Sequence, residues 1–498
     1  MKYRAEIDGL RALAVAPGIL FHAGVDAFSG GYVGVDVFFV ISGYLITTIL
    51  IEEIENGRFS IINFYERRAR RILPVLFFIM LLCVPFAWMW MLPSQMEEFS
   101  SSLIAVSLFV SNILFWRESD YFAAAAEEKP LLHTWSLAVE EQYYLLFPIF
   151  LILVWRFGKK PVFWIIVAMA AISLLLSEWG WRNTELANFY LAPTRAWELF
   201  AGSIAAFAVQ KYGVQKNNAL ASLGLGAILF AIFVYDKNTP FPSVYALVPV
   251  LGTVLLILYA DKETYAAKLL SRSLFVGIGL ISYSAYLWHQ PLFAFSKIIW
   301  LDLHGVLAFA LVLITFPLAY LSWRFVETPF RDKSKFGRGH IFTFSLAGIL
   351  FFSAIGIFGL TSNGFESRQA WNDHYILTEG PQEKFNDACL LQNPQLDDFS
   401  TCRASQENLP TIALIGDSHS FVLYEAMAAR FPNETIINIG KWECLPFVND
   451  EHLGRGGCEE YQQKTGAFLD ANPQIHTIIL AGYWGYLSSG GFAYVGGG

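Results

Sequence analysis

A succession of apolar runs, each long enough or nearly long enough to bridge a bilayer, rules out most folds for this chain. Runs near 10–26, 35–54, 73–92, 135–155, 161–177, 189–209, 217–235, 243–260, 273–295, 306–326 and 341–360 approach the roughly 20 apolar residues that a helix needs to cross hydrocarbon. Lipid offers the backbone no hydrogen-bond partners, so segments of this length must be helical. With 55% apolar and only 15% charged residues, the chain is too apolar for an ordinary soluble enzyme. The expected fold is therefore an all-α polytopic membrane bundle of about 11 transmembrane helices.

A further apolar run at 101–116 raises the question of one more span, and the loop charges decide it. Lys2 with Arg4, the run Arg67 to Arg71, Arg156 with Lys159 and Lys160, Lys211 with Lys216, Lys262 to Arg272 and Arg331 to Arg338 all fall on one side only if 101–116 does not cross. That run is expected to lie at, or dip into, the outer face beside the acidic loop Glu118 to Glu128. The N-terminus is then cytoplasmic and everything after Leu360 is outside. The first apolar segment carries charge, lacks a small-residue cleavage site and is followed by further spans, so it reads as a retained helix and not a removable signal.

Cysteine placement supports the same orientation. Of five cysteines, Cys83 lies in an apolar run, whereas Cys389, Cys402, Cys444 and Cys458 share the polar last third. Of the three possible pairings, the local one, Cys389 with Cys402 and Cys444 with Cys458, is expected, which implies an oxidising compartment. The formal charge of −8 separates into basic short loops and an acidic tail, and suggests no nucleic-acid partner. After residues 361–410, which read as a linker or lid, Thr411-Ile412-Ala413-Leu414-Ile415 is a buried-strand run followed by Gly416-Asp417-Ser418-His419 and an amphipathic helix. Strand runs at Thr435 to Ile439 and Thr477 to Leu480, with a helix near Glu459 to Leu469, predict a parallel α/β sheet.

Within the apolar runs a few ionisable residues stand out, and such groups in lipid are functional by default. Arg11 and His22, 11 residues apart, fall within roughly 20° of one helix face and roughly 16 Å apart along it. Pro17 and Gly18 between them are a potential kink. Arg68 and Arg71 share a helix face in the basic run, where guanidinium groups suit phosphates. A plain positive-inside anchor explains them equally well from charge alone. Glu140 and Glu141 open an apolar run, and Glu140 is a candidate partner of His22; a purely structural ion pair is the competing reading, and Asp36 has the same standing. His289 reads as a hydrogen-bonded interfacial residue. No set of residues suggests a bound metal.

These positions carry a resemblance. Arg11, His22, the phrase Gly34-Val35-Asp36-Val37-Phe38-Phe39-Val40-Ile41-Ser42-Gly43-Tyr44, the run Arg67-Arg68-Ala69-Arg70-Arg71 and Thr134-Trp135-Ser136-Leu137-Ala138-Val139-Glu140-Glu141-Gln142-Tyr143-Tyr144 together resemble the membrane acyltransferase-3 family over roughly residues 1–335. The tail is similar to the SGNH hydrolase-like domain fused to some of its members. The implied organisation is an acyltransferase domain at 1–335, an additional transmembrane helix at 336–360, a periplasmic linker at 361–410 and a partial SGNH-like α/β domain at 411–498. The resemblance implies an O-acetyltransferase of a bacterial inner membrane, which takes acetyl from cytoplasmic acetyl-CoA and delivers it to a cell-surface polysaccharide or lipid-linked glycan such as lipopolysaccharide O-antigen. It implies His22 as catalytic base, Arg11, Arg68 and Arg71 as donor contacts, and Ser418 as an SGNH nucleophile.

The tail departs from the SGNH pattern. Gly482-Tyr483-Trp484 stands where Gly-x-Asn is expected, no Asp-x-x-His follows, and Gly496-Gly497-Gly498 reads as the end of a fragment or an early stop. A transporter, suited to buried charges in a many-span bundle, and an extracytoplasmic esterase using Ser418 are the competing functions. The absence of matching inverted halves opposes the first, and the missing acid and histidine oppose the second.

Overall fold

The computed structural model describes residues 3–118, 128–300, 305–365, 368, 401–406, 408–416, 418–440 and 458–482. The chain divides into two compact units, Met1–Phe365 and Glu366–Gly498. The four cysteines of the expected disulfides fall in the second unit, with their thiols outside the described residues.

The first unit is helical. Its elements are α1 (Ala5–His22), α2 (Gly34–Glu55), α3 (Ile61–Trp90), α4 (Pro93–Ser107), α5 (Ser111–Arg117), α6 (Thr134–Trp155), α7 (Lys159–Asn183), α8 (Glu185–Tyr190), α9 (Ala192–Tyr212), α10 (Asn218–Val234), α11 (Leu247–Tyr259), α12 (Tyr265–Leu270), α13 (Ser273–Leu280), α14 (Ser282–Trp300), α15 (Gly305–Ser322), α16 (Thr328–Arg331) and α17 (Arg338–Thr361). Six helical stretches among the described residues are long and apolar enough to cross a membrane: Gly31–Glu55, Ile61–Trp90, Thr134–Trp155, Lys159–Asn183, Gly305–Arg331 and Arg338–Thr361. Other runs in the expected set form shorter helices, such as α10 and α11, or helices interrupted by charge, such as α1 with Glu6, Asp8 and Arg11 and α9 with Arg195 and Glu198. Leu146, Leu153, Trp164, Leu175 and Leu350 point outward, while Asp36, Glu198 and Arg195 are buried inside, the distribution expected of a bundle solvated by lipid.

Several boundaries differ from the hydropathy reading for local reasons. α1 begins at Ala5, because Glu6 and Asp8 break the apolar pattern yet suit the positive end of a helix, and it ends at His22, ahead of Gly24 at φ 75°. Pro17 is accommodated within it. The basic run is no loop: it lies inside the 30-residue α3, which carries it directly into the apolar span. The run at 101–116 is no single helix, since Phe109 at φ 55° separates α4 from α5. Neither piece reaches the length of a span. α4 lies against α17, with Gly356 and Gly359 facing Ser100. The run at 273–295 is likewise divided into α13 and α14 at Ile281.

The crossing of α2 and α9 fixes the centre of this unit. A Cβ on Gly43 would stand 1.9 Å from the Leu199 carbonyl oxygen, and one on Gly202 would stand 2.0 Å from that of Val40. Each helix presents glycine where the other's backbone touches it, the small-residue contact that lets helices approach closely in lipid.

The second unit holds a four-stranded sheet in the order β1 (Thr401–Ala404), β3 (Ile436–Gly440), β2 (Ile412–Gly416), β4 (Thr477–Ala481). β3, β2 and β4 are parallel, as the strand and helix alternation predicts, and β1 runs antiparallel to β3. Residues 401–404, read above as linker, are therefore part of the sheet; a four-residue edge strand is fixed by its pairing and carries too few residues to show a pattern. α18 (Ser418–Arg430) and α19 (Cys458–Ala471) complete the unit. Tyr461 on α19 donates to either the Gly416 or the Ile439 carbonyl, at 3.2 and 3.1 Å, at the end of the parallel strands.

Candidate active site

Two cavities lie along α1. The first, about 290 Å³, is lined by Tyr3 and Arg4 just ahead of the helix, by Ile7, Asp8 and Arg11 from its first half, and by Arg68, Arg71 and Glu140. The second, about 370 Å³, is lined by Ala14, Val15, Gly18, Ile19, Phe21 and His22 from the second half, and by His133, Arg195 and His289. Val35, Phe38 and Tyr286 belong to both linings, so the cavities are separated by little more than these side chains. Four of the predicted residues, Arg11, Arg68, Arg71 and Glu140, thus share one cavity, and His22 lines its neighbour.

The basic run divides by helical geometry into two pairs. Arg67 is held by Glu53 at 2.9 Å, and Arg70, buried, is held by Glu66 at 2.8 Å and by the carbonyls of Phe330 and Phe336. Arg68 and Arg71, on the adjoining face of α3, have no ion-pair partner among the described residues and line the cavity. Arg68 lies over the Tyr144 ring at 5.4 Å, a cation–π contact that orients it without neutralising it. Arg11 is paired with Asp8 at 3.2 Å across one helix turn. This donor set fits the phosphates of a coenzyme A thioester: planar, always-charged forks with capacity to accept anionic oxygens.

Glu140 hydrogen-bonds the hydroxyls of Ser42 and Tyr144, so its partners in the first cavity are neutral. Tyr286 sits at the septum, where its hydroxyl donates to the His133 carbonyl at 2.6 Å and accepts from Ser136 at 2.7 Å.

In the second cavity three imidazoles gather. The rings of His22 and His289 are 5.3 Å apart and those of His133 and His289 are 5.4 Å apart. His289 donates from Nδ1 to the Tyr286 carbonyl at 2.5 Å. His289 is thus part of the histidine group, where sequence reasoning gave it only an interfacial role. Arg195, 1% exposed, is paired with Asp36 at 3.2 Å and Glu198 at 3.3 Å and is surrounded by the rings of Phe39, Trp135 and Phe241. Arg195 and His133 escaped sequence reasoning. One signal was present: Arg195 and Glu198 are a charged pair inside an apolar run. At the mouth, backbone N–H groups of Asn238 and Thr239 hold the Asp236 carboxyl below the usual range.

In the second unit Ser418 opens α18 directly after β2 and Asp417, the strand-to-helix position of a nucleophile, and its side chain lies outside the described residues. His476 is committed to the surface, 2.9 Å from the Thr477 hydroxyl and 3.5 Å from Glu434.

Comparison with known proteins agrees with this two-part organisation. Residues 4–324 match the acyltransferase domain family, and residues 387–497 match the SGNH domain found fused to such domains. The chain is 32% identical over 361 residues to the peptidoglycan O-acetyltransferase OatA of Listeria monocytogenes, covering 67% of this chain and 56% of that protein. It is 32% identical over 350 residues to the O-acetyltransferase OatA of Staphylococcus aureus, covering 67% and 58%. The match thus spans less than two thirds of the length of these relatives. No solved structure matches the chain. Matched over most of its helical unit and again over its tail, the chain belongs to the acyltransferase-3 family, in the branch that carries a fused SGNH domain.

Proposed function

We propose that the protein is a membrane O-acetyltransferase that takes acetyl from acetyl-CoA on the cytoplasmic side and transfers it to a hydroxyl of an extracytoplasmic glycan. The observation that carries this reading is the pair of cavities along α1, one with two arginines that have no ion-pair partner among the described residues and one with His22, meeting at Val35, Phe38 and Tyr286. Arg68 and Arg71, with Arg11, hold the donor phosphates, so the thioester end points toward the septum. His22 takes the proton of the acceptor hydroxyl, the oxygen attacks the thioester carbonyl, the C–S bond breaks and coenzyme A leaves as the thiol after regaining that proton. Glu140, held by Ser42 and Tyr144, contributes negative charge that orients the arginine side of the site.

The membrane is the bacterial inner membrane, with the N-terminus cytoplasmic, about 11 spans and the SGNH-like tail periplasmic or otherwise external, on the strength of the aligned basic loops. The acceptor is a cell-surface polysaccharide. The name of the Listeria relative favours peptidoglycan, and lipopolysaccharide O-antigen offers the same hydroxyl chemistry.

Purified protein in lipid nanodiscs, supplied with acetyl-labelled acetyl-CoA and either peptidoglycan fragments or O-antigen, tests the reading. Label appearing as a base-labile ester on one glycan is the expected result and names the acceptor. A transporter would show no coenzyme A release. An esterase acting through Ser418 would release acetate from acetylated glycan without any donor.

A further inference from the structure

We propose that His133 is a sugar-binding residue of the second cavity, holding hydroxyl groups of the glycan acceptor beside His22. The inference rests on the transferase reading and adds the residue that positions its acceptor. His133 lies in the turn immediately before α6, is 5% exposed, and lines the cavity that His22 lines. Neither of its ring nitrogens has a hydrogen-bond partner among the described residues. Burial normally demands such partners, because a polar group removed from water and left unmatched is destabilising.

Its surroundings argue against a ring kept only for packing. The His133 backbone is pinned, since its carbonyl accepts from Tyr286 Oη at 2.6 Å, and its ring packs on Tyr286 at 5.1 Å. The imidazole is therefore held in place while its two nitrogens have no hydrogen-bond partner among the described residues. Its neighbour His289 differs in having Nδ1 engaged by the Tyr286 carbonyl. A neutral imidazole offers one donor and one acceptor, and a pair of adjacent sugar hydroxyls offers the same two functions in return. Phe189, Tyr190 and Phe241 line the same cavity and present rings of the kind that take the apolar face of a sugar. A hexose held this way brings one hydroxyl to His133 and another toward His22.

The test compares His133→Phe, which keeps the ring and removes both nitrogens, with His133→Gln, which restores a donor and an acceptor. The full chain in nanodiscs is measured with acetyl-CoA and a soluble N-acetylglucosamine tetrasaccharide as acceptor probe. His133→Phe is expected to raise the acceptor KM roughly 10–100-fold, as loss of two hydrogen bonds implies, with kcat changed far less and the acetyl-CoA KM unchanged. His133→Gln should recover most of the acceptor affinity. Saturation-transfer NMR of the tetrasaccharide on each protein reads the same affinity without turnover. An acceptor affinity in His133→Phe equal to that of the parent, or a parent that binds no tetrasaccharide, overturns the inference. A parent that binds the sugar and transfers nothing overturns the transferase reading instead, and the NMR comparison of parent and variants still decides the role of His133.

Discussion

The rings of His22 and His289 stand 5.3 Å apart, one from the end of α1 and one from the middle of α14. Helices far apart in sequence thus bring two imidazoles to one cavity, with His289 fixed by the Tyr286 carbonyl. His22 is the one that lies on the helix linking both cavities, and positioned proton transfer contributes about 10²–10⁴-fold. His22→Gln, which keeps hydrogen bonding and removes the proton chemistry, should lower acetyl transfer by about that factor and leave acetyl-CoA binding unchanged. Near-normal acetylation by a well-inserted His22→Gln protein would assign the proton transfer elsewhere.

The division of the basic run makes a contrast that charge alone does not. Arg67 and Arg70 are engaged by Glu53 and Glu66, whereas Arg68 and Arg71 face the cavity without an ion pair among the described residues. Arg68→Ala and Arg71→Ala should each weaken acetyl-CoA binding by about 1.5–3 kcal/mol, the range for hydrogen bonds to charged groups. Arg67→Ala removes the same charge and should leave donor affinity unchanged. Isothermal titration with acetyl-CoA reads the difference, and equal losses in all three variants would reduce the run to a general electrostatic anchor.

How far the sequence reveals this depends on the range of the interaction. Arg68 and Arg71 share a face because helix geometry is local, and the strands 412–416 and 436–440 show because a buried parallel strand is a largely apolar run, while 477–481 shows by its apolar run although Ile478 and Leu480 are exposed. The joining of His22 with His133 and His289 does not show, since those residues are over 100 positions apart in sequence and meet only through packing of α1, α6 and α14. Nor does the placement of Glu140 with Arg68 instead of beside His22 follow from its position at the head of an apolar run. The edge strand at 401–404 is invisible for the same reason: its conformation is set by β3.

Arg195 is the most demanding group in the helical unit. It sits between Asp36 and Glu198 at 1% exposure, where the tight α2–α9 crossing places it. Removing one partner of a buried ion pair leaves uncompensated charge, at a cost of about 3–5 kcal/mol. Arg195→Met should therefore lower thermal stability in detergent strongly, while the combined Arg195→Met, Asp36→Asn, Glu198→Gln variant should regain much of the loss. A single variant as stable as the parent would show that the site is wet and the charges are not buried in the sense assigned here.

The inside-and-outside assignment rests on basic loops, which align on one face only if α4 and α5 do not cross. The break at Phe109 divides that segment into helices of 15 and 7 residues, both shorter than the roughly 20 residues of a span. α4 instead lies along α17, so its apolar face is covered by protein over Gly356 and Gly359. Reporter fusions after Lys160 and after Asn363 should then report opposite sides of the membrane, cytoplasmic for the first and external for the second. A third fusion after Arg117 should report the external side, because α3 crosses outward and α4 with α5 stays there. If the Arg117 fusion instead reports the cytoplasmic side, the 93–117 segment crosses after all, and every later loop changes side with it.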